Sequence, residues 1–91
     1  MKIKWVSHNN HKKGFDVRVP FGTLWFPYAL LEVRPLANDR IRRTWFDMAF
    51  DREAFSYALE SGREGIVYID QVLEYNHLPD YLCDRLRYKL T

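Results

Sequence analysis

Between Phe55 and Asn76 the chain reads FSYALESGREGIVYIDQVLEYN, and this stretch restricts the fold more than any other. It holds two apolar runs, a turn bracketed by Gly62 and Gly65, and a switch from strand-like to helix-like spacing at Asp70. The second run, Gly65 to Ile69, is β-branched and aromatic and predicts a strand. Asp70 is a good N-cap for a short helix over Gln71 to Tyr75, with Val72 and Leu73 facing in. The first run reads two ways. As a helix, Asp51 caps it, Ala54/Ala58 and Phe55/Leu59 pair at i,i+4, and Gly62 ends it. As a strand from Phe55 to Glu60, Phe55, Tyr57 and Leu59 share one face.

A chain of 91 residues makes one domain. It should bury about 60–65% of its unfolded surface, enough for one core. Aromatic residues supply 16% of it, so bulky rings are available to fill that core. A net charge of +2 permits nucleic acid as a partner without arguing for it, because clustering matters more than the total. The single Cys83 excludes an intramolecular disulfide and a multi-cysteine zinc site. The start, Met1-Lys2-Ile3-Lys4, lacks the apolar core of a signal peptide, and no stretch has the length of a membrane span. A soluble, cytoplasmic chain with no membrane partner is expected.

The earlier part of the chain is strand-rich. Lys2 to Ser7 alternates, with Ile3 and Trp5 on one face. His8 to Gly14 is polar and reads as a loop. Phe15-Asp16-Val17-Arg18-Val19 alternates cleanly, predicting a second strand paired with the first. Pro20 to Thr23 is a tight turn. Leu24 to Tyr28 predicts a third strand, with Pro27 at an edge, bulge or end. Ala29 to Glu32 either extends that strand or makes one helical turn. Arg34 to Asp39 is a connection. Arg40 to Asp47 predicts a fourth strand, in which Ile41 and Arg43 alternate with Arg42 and Thr44. From Pro79 a final helix is expected, with Leu78, Leu82, Leu86 and Leu90 at i,i+4 spacing.

Several blocks carry a family resemblance. They are Ser7-His8-Asn9 with Lys12-Lys13 and Phe15, Phe26-Pro27-Tyr28-Ala29, Leu59 to Gly65, and Val72 to Asn76 followed by Pro79 and Tyr81-Leu82. On these, the sequence from His8 to Tyr81 resembles an uncharacterised bacterial family of small β-rich domains that usually precede a helix-turn-helix DNA-binding domain. More distantly, through Val33-Arg34-Pro35-Leu36 and the strand-then-helix ending, it is similar to a domain of unknown function found near toxin–antitoxin-like genes. The resemblance implies a regulatory setting and carries no catalytic residues. It also implies a hairpin around Ser61 to Glu64, which favours the strand for Phe55 to Glu60. The sequence stops at Thr91, before a helix-turn-helix would begin, so specific DNA reading by such an element is not expected of it.

The chemistry-bearing residues are few. His8 and His11 stand at i,i+3 in a polar loop, a metal spacing only where further ligands converge, and exposed turn residues are the plainer reading. Cys83, with His77 six residues before it, reads as a helix-face thiol rather than a nucleophile. Ser61 to Gly65 lacks the spacing of a phosphate-binding loop. The basic clusters are Lys12 and Lys13, then Arg40, Arg42 and Arg43. If the fourth strand lies near the first loop, they form one patch for phosphate or an acidic partner, with Trp45 and Phe46 nearby for stacking. Taken alone they are a solvated strand face that discourages edge-to-edge aggregation.

The expected fold is therefore α+β: an antiparallel sheet of about five or six strands, a short helix after Asp70, and a C-terminal helix on one face. The expected function is a non-enzymatic interaction or regulatory domain, resembling the N-terminal part of transcriptional regulators, with no metal and no cofactor. The alternative is a nucleic-acid-binding module using Lys12, Lys13, Arg40, Arg42 and Arg43. A protein partner or a homodimer through the C-terminal helix is the remaining expectation.

Overall fold

The computed structural model describes residues 2–46 and 51–77. Six strands run in chain order: β1 (Trp5–Asn9), β2 (Gly14–Val19), β3 (Gly22–Pro27), β4 (Ile41–Phe46), β5 (Ala54–Leu59) and β6 (Glu64–Tyr68). One helix, α1 (Ile69–Tyr75), follows them. The strands do not form the single sheet of five or six expected from the sequence. They divide into two three-stranded antiparallel meanders, β1-β2-β3 and β4-β5-β6. The division falls where the chain loses its means of pairing. Pro27 ends β3, a 3-10 turn over Tyr28–Leu30 follows, and the Leu31–Arg40 connection carries the chain away from β3.

The two sheets share one core. From β2 come Phe15, Val17 and Val19, and from β5 come Phe55, Tyr57 and Leu59, all fully buried. Phe15 joins the layers: its ring lies 4.9 Å from Phe55, 5.1 Å from Tyr28 and 5.7 Å from Tyr57. These tilted contacts suit the ring quadrupoles better than face-to-face stacking. The stretch that read two ways is strand β5, as the resemblance implied. Asp51 therefore caps nothing; its carboxylate pairs with Lys2. Both Asp51 and Arg52 take left-handed backbone conformations, and the Arg52 guanidinium then donates to the carbonyls of Ile3 and Lys4.

That link corrects the first strand. Ile3 is buried but lies before β1, donating its N–H to the Arg52 carbonyl at 2.7 Å. Trp5, expected on the same face as Ile3, is 46% exposed. In β4, a bulge between Ile41 and Arg43 leaves Arg42 outside the register. Ile41 is buried while Arg42 and Arg43 are both exposed, so Ile41 and Arg43 do not share an inward face.

Helix α1 begins two residues earlier than the Asp70 cap requires. Tyr68 is the N-cap, and its N–H donates to the Gln71 side chain at 2.8 Å. Asp70 lies in the first turn, where its charge suits the helix dipole. Ile69, Val72 and Leu73 are buried at i, i+3, i+4. The helix docks against sheet one: Tyr75 meets Phe26 edge-on at 6.2 Å, and Asn76 Nδ2 donates to the Trp25 carbonyl at 3.0 Å. No helix among the described residues is long and apolar enough to cross a membrane. The helix expected from Pro79 onward, its Leu stripe, Cys83 and the dimer contact expected there lie outside the described residues.

Candidate functional site

The β1–β2 turn is built by Asn9, whose side-chain oxygen accepts the N–H groups of His11 and Lys12 at 3.1 and 3.0 Å. This is the Asx geometry that lets a short polar side chain replace backbone turn bonds. Lys13 then adopts a left-handed conformation, and its carbonyl accepts the Tyr28 N–H at 2.9 Å. The turn is thus fixed to the 3-10 turn after β3.

Asn10 extends the connection to the second sheet. Its Nδ2 donates to the Ile41 carbonyl and its Oδ1 accepts the Tyr28 hydroxyl, both at 2.9 Å. Burial pushes the Tyr28 hydroxyl up to about 12, against the lowering effect of a backbone hydrogen bond with Asn9. It stays protonated at neutral pH and remains a donor. The fourth strand therefore begins beside the first turn, the arrangement on which a common basic patch depended.

The connection between the sheets is pinned from below. The Tyr57 hydroxyl donates to the Val33 carbonyl at 2.9 Å and accepts the Val33 N–H at 3.2 Å. Leu36 and Asp39 exchange backbone hydrogen bonds across a tight turn. The Asp39 carboxylate accepts the Ser61 N–H and hydroxyl at 2.8 Å each, and the Arg63 guanidinium at 3.0 Å. The Ser61 hydroxyl leads in holding that carboxyl below its ordinary pKa; burial opposes this, and the Ser61 N–H and Arg63 reinforce it. The Arg40 N–H donates to Glu60 Oε1 at 2.9 Å and the Glu60 N–H returns to the Arg40 carbonyl at 3.0 Å.

These ties leave a cleft of about 440 Å³ between the first turn, the 3-10 turn and residues 34–40. Lys13, Arg34 and Arg40 line it, together with an apolar wall that includes Pro27, Pro35 and Leu36. Arg40 lies 3.7 Å from Glu60, a contact in which both side chains are largely exposed and water screens the charges. Among the described residues, no ion pair engages Lys13 or Arg34. A second cleft, about 390 Å³, has the opposite character: Glu32 and Glu64 line it with Trp45, Ser56 and Ile66. Cationic side chains line the first cleft and carboxylates the second.

Of the residues singled out from sequence, Lys13 and Arg40 meet at the basic cleft. Lys12 is exposed in the same turn. Arg42 and Arg43 are exposed on β4 and do not line this cleft; the Arg43 guanidinium lies 4.3 Å over the ring of Trp45, which lines the second cleft. Phe46 is taken up instead by Arg52, at 4.3 Å. His8 is half-buried in β1, His11 is exposed in the turn and His77 is exposed after α1. No three His, Cys, Asp or Glu residues among those described are grouped to hold a metal ion.

Sequence reasoning missed Arg34, Asn10 and Tyr28. A lone arginine before a proline carries no local pattern. The Asn10–Tyr28 pair spans 18 residues and becomes visible only when β2 pairs with β3 and brings the first turn beside the end of β3. Compared with known proteins, the chain matches no family model, no curated protein and no solved structure.

Proposed function

We propose that this chain is a non-enzymatic interaction domain of a regulatory system, and that its ligand is nucleic acid held through its phosphates. The observation that carries this reading is the convergence of Lys13, Arg34 and Arg40 on one cleft, with Lys13 and Arg34 unengaged by acidic groups among the described residues. Lys12 is exposed beside Lys13 in the turn, and Arg42 and Arg43 are exposed on β4. A bacterial, cytoplasmic regulator is the setting we attach to this reading, on the sequence resemblance.

The test is fluorescence anisotropy with a labelled 20-nucleotide single strand and the matching duplex, across a salt series. Phosphate contacts release counterions, so log K should fall linearly with log salt, by roughly 0.7 per phosphate engaged on a single strand. Substituting Arg42 and Arg43 with Gln should weaken binding and flatten that slope. Binding that ignores both salt and these substitutions contradicts the proposal.

A further inference from the structure

The geometry points to a more specific ligand for the same cleft, and this inference rests on the binding reading above: a terminal phosphomonoester carried by a nucleotide, with the phosphate among Lys13, Arg34 and Arg40 and the nucleoside on the wall of Pro27, Pro35 and Leu36. Charge density is the first reason. A backbone diester carries one negative charge per phosphate and is matched by cations spread along a track. A monoester carries about −1.5 to −2 at pH 7 on three acceptor oxygens. Three cations around one cleft, one of them loosely held by Glu60, fit that concentrated charge. Arginine adds planar paired donors that match phosphate oxygens, and lysine adds a compact point charge.

The shape of the cleft is the second reason. Its volume of about 440 Å³ lies within the range of small-molecule sites, which combine apolar walls with a few placed polar groups. Leu36 is 59% exposed, so covering it with a sugar or base removes apolar surface from water. The third reason concerns what the cleft does not offer. Both ends of the Asn10 amide and the donor of Tyr28 are committed to each other and to Ile41. These groups are oriented by the fold and hold the walls in place, so the amide is fixed toward Ile41 and Tyr28 rather than free to turn to a base edge. The site selects the phosphate and accepts any base.

The same chemistry has two sources, a free nucleoside monophosphate and the 5′ end of a strand. The full chain is titrated against a 3′-labelled twelve-nucleotide thymidine strand carrying either a 5′-phosphate or a 5′-hydroxyl, and separately against adenosine and cytidine monophosphates by calorimetry. The 5′-phosphorylated strand should bind about tenfold tighter, the scale of one or two charge-assisted hydrogen bonds. The two monophosphates should bind alike and compete away that preference. Arg34→Gln should bring the ratio between the two strands close to one. Arg42→Gln with Arg43→Gln should weaken both strands together and keep the ratio. Equal binding of the two strands in the unaltered chain overturns the terminal-phosphate site and leaves the nucleic-acid reading standing. Binding of the monophosphates without either strand supports the site and overturns the nucleic-acid reading. Binding of none of these ligands overturns both.

Discussion

Each three-stranded sheet seats an aromatic ring over a glycine of the neighbouring strand, Trp25 over Gly14 in the first and Tyr57 over Gly65 in the second. A Cβ on Gly14 would clash with the six-membered ring of Trp25, and one on Gly65 with the hydroxyl end of the Tyr57 ring. The rings differ in what else they do. Trp25 is only half-buried, whereas Tyr57 is fully buried and its hydroxyl holds the Val33 backbone by two hydrogen bonds. The central strands differ in the same sense. Strand β2 turns Phe15, Val17 and Val19 inward and leaves Asp16 half-buried and Arg18 exposed; β5 buries all six of its residues, with Ala54, Ser56 and Ala58 between the large ones. The first sheet is a half-wetted layer, and the second is a strut with both faces of its middle strand occupied. The connection that forms the basic cleft is accordingly tied to the second sheet, through Tyr57 and through Asp39.

The largest expected effect removes what the two sheets have in common. Phe15→Ala deletes the ring that touches Tyr28, Phe55 and Tyr57, and should cost about 4 kcal/mol in urea unfolding. Next comes the glycine pair, which separates the sheets. Gly65→Ala drives a side chain into a buried ring anchored at its hydroxyl, for a loss of about 3 kcal/mol. Gly14→Ala meets a half-buried ring that can move outward, for about 1–2 kcal/mol. Equal losses at the two positions would erase the distinction drawn between the rings. Tyr57→Phe keeps the packing and removes both bonds to Val33, and should cost about 1–2 kcal/mol.

The smallest effect is one of pH. Asp39 and Asn9 both hold turns with a side-chain oxygen, but only the carboxyl titrates. Its pKa is lowered in the folded state, so its contribution is complete above the ordinary carboxylate range and is lost as pH falls through the lowered value. In amide NMR spectra, acidification should shift the Ser61 signal while Lys12, bonded to Asn9, stays in place over the same acid range. Asp39→Asn should remove that pH dependence.

The same contrast governs what could be read from sequence. The first sheet was legible because Asp16 and Arg18 punctuate the apolar positions of β2. In β5, alanine and serine stand where polar residues would mark the outer face. Alternating small and large residues repeat every two positions and therefore also every four, so Ala54/Ala58 and Phe55/Leu59 imitate a helix stripe. Local pattern identified strands but not their partition into two sheets, which depends on where Pro27 stops the pairing. Ile3 and Trp5 do not share a face because Ile3 lies before β1 and is held by Arg52, 49 residues away. For the site, charge clustering pointed to Lys13 and Arg40. Their meeting depended on the Asn10–Ile41 contact between sheets, and Arg34 belonged to no basic cluster in the sequence.

The central claim is that ligand binds at the junction between the sheets, on the basic cleft. The most direct measurement is backbone-amide shift mapping of the full chain during titration with the 5′-phosphorylated strand. Shifts should concentrate at residues 10–13, 28–29 and 34–40 and fade with added salt. Shifts concentrated instead on the outer face of β5 and β6, around the acidic cleft of Glu32 and Glu64, would contradict it.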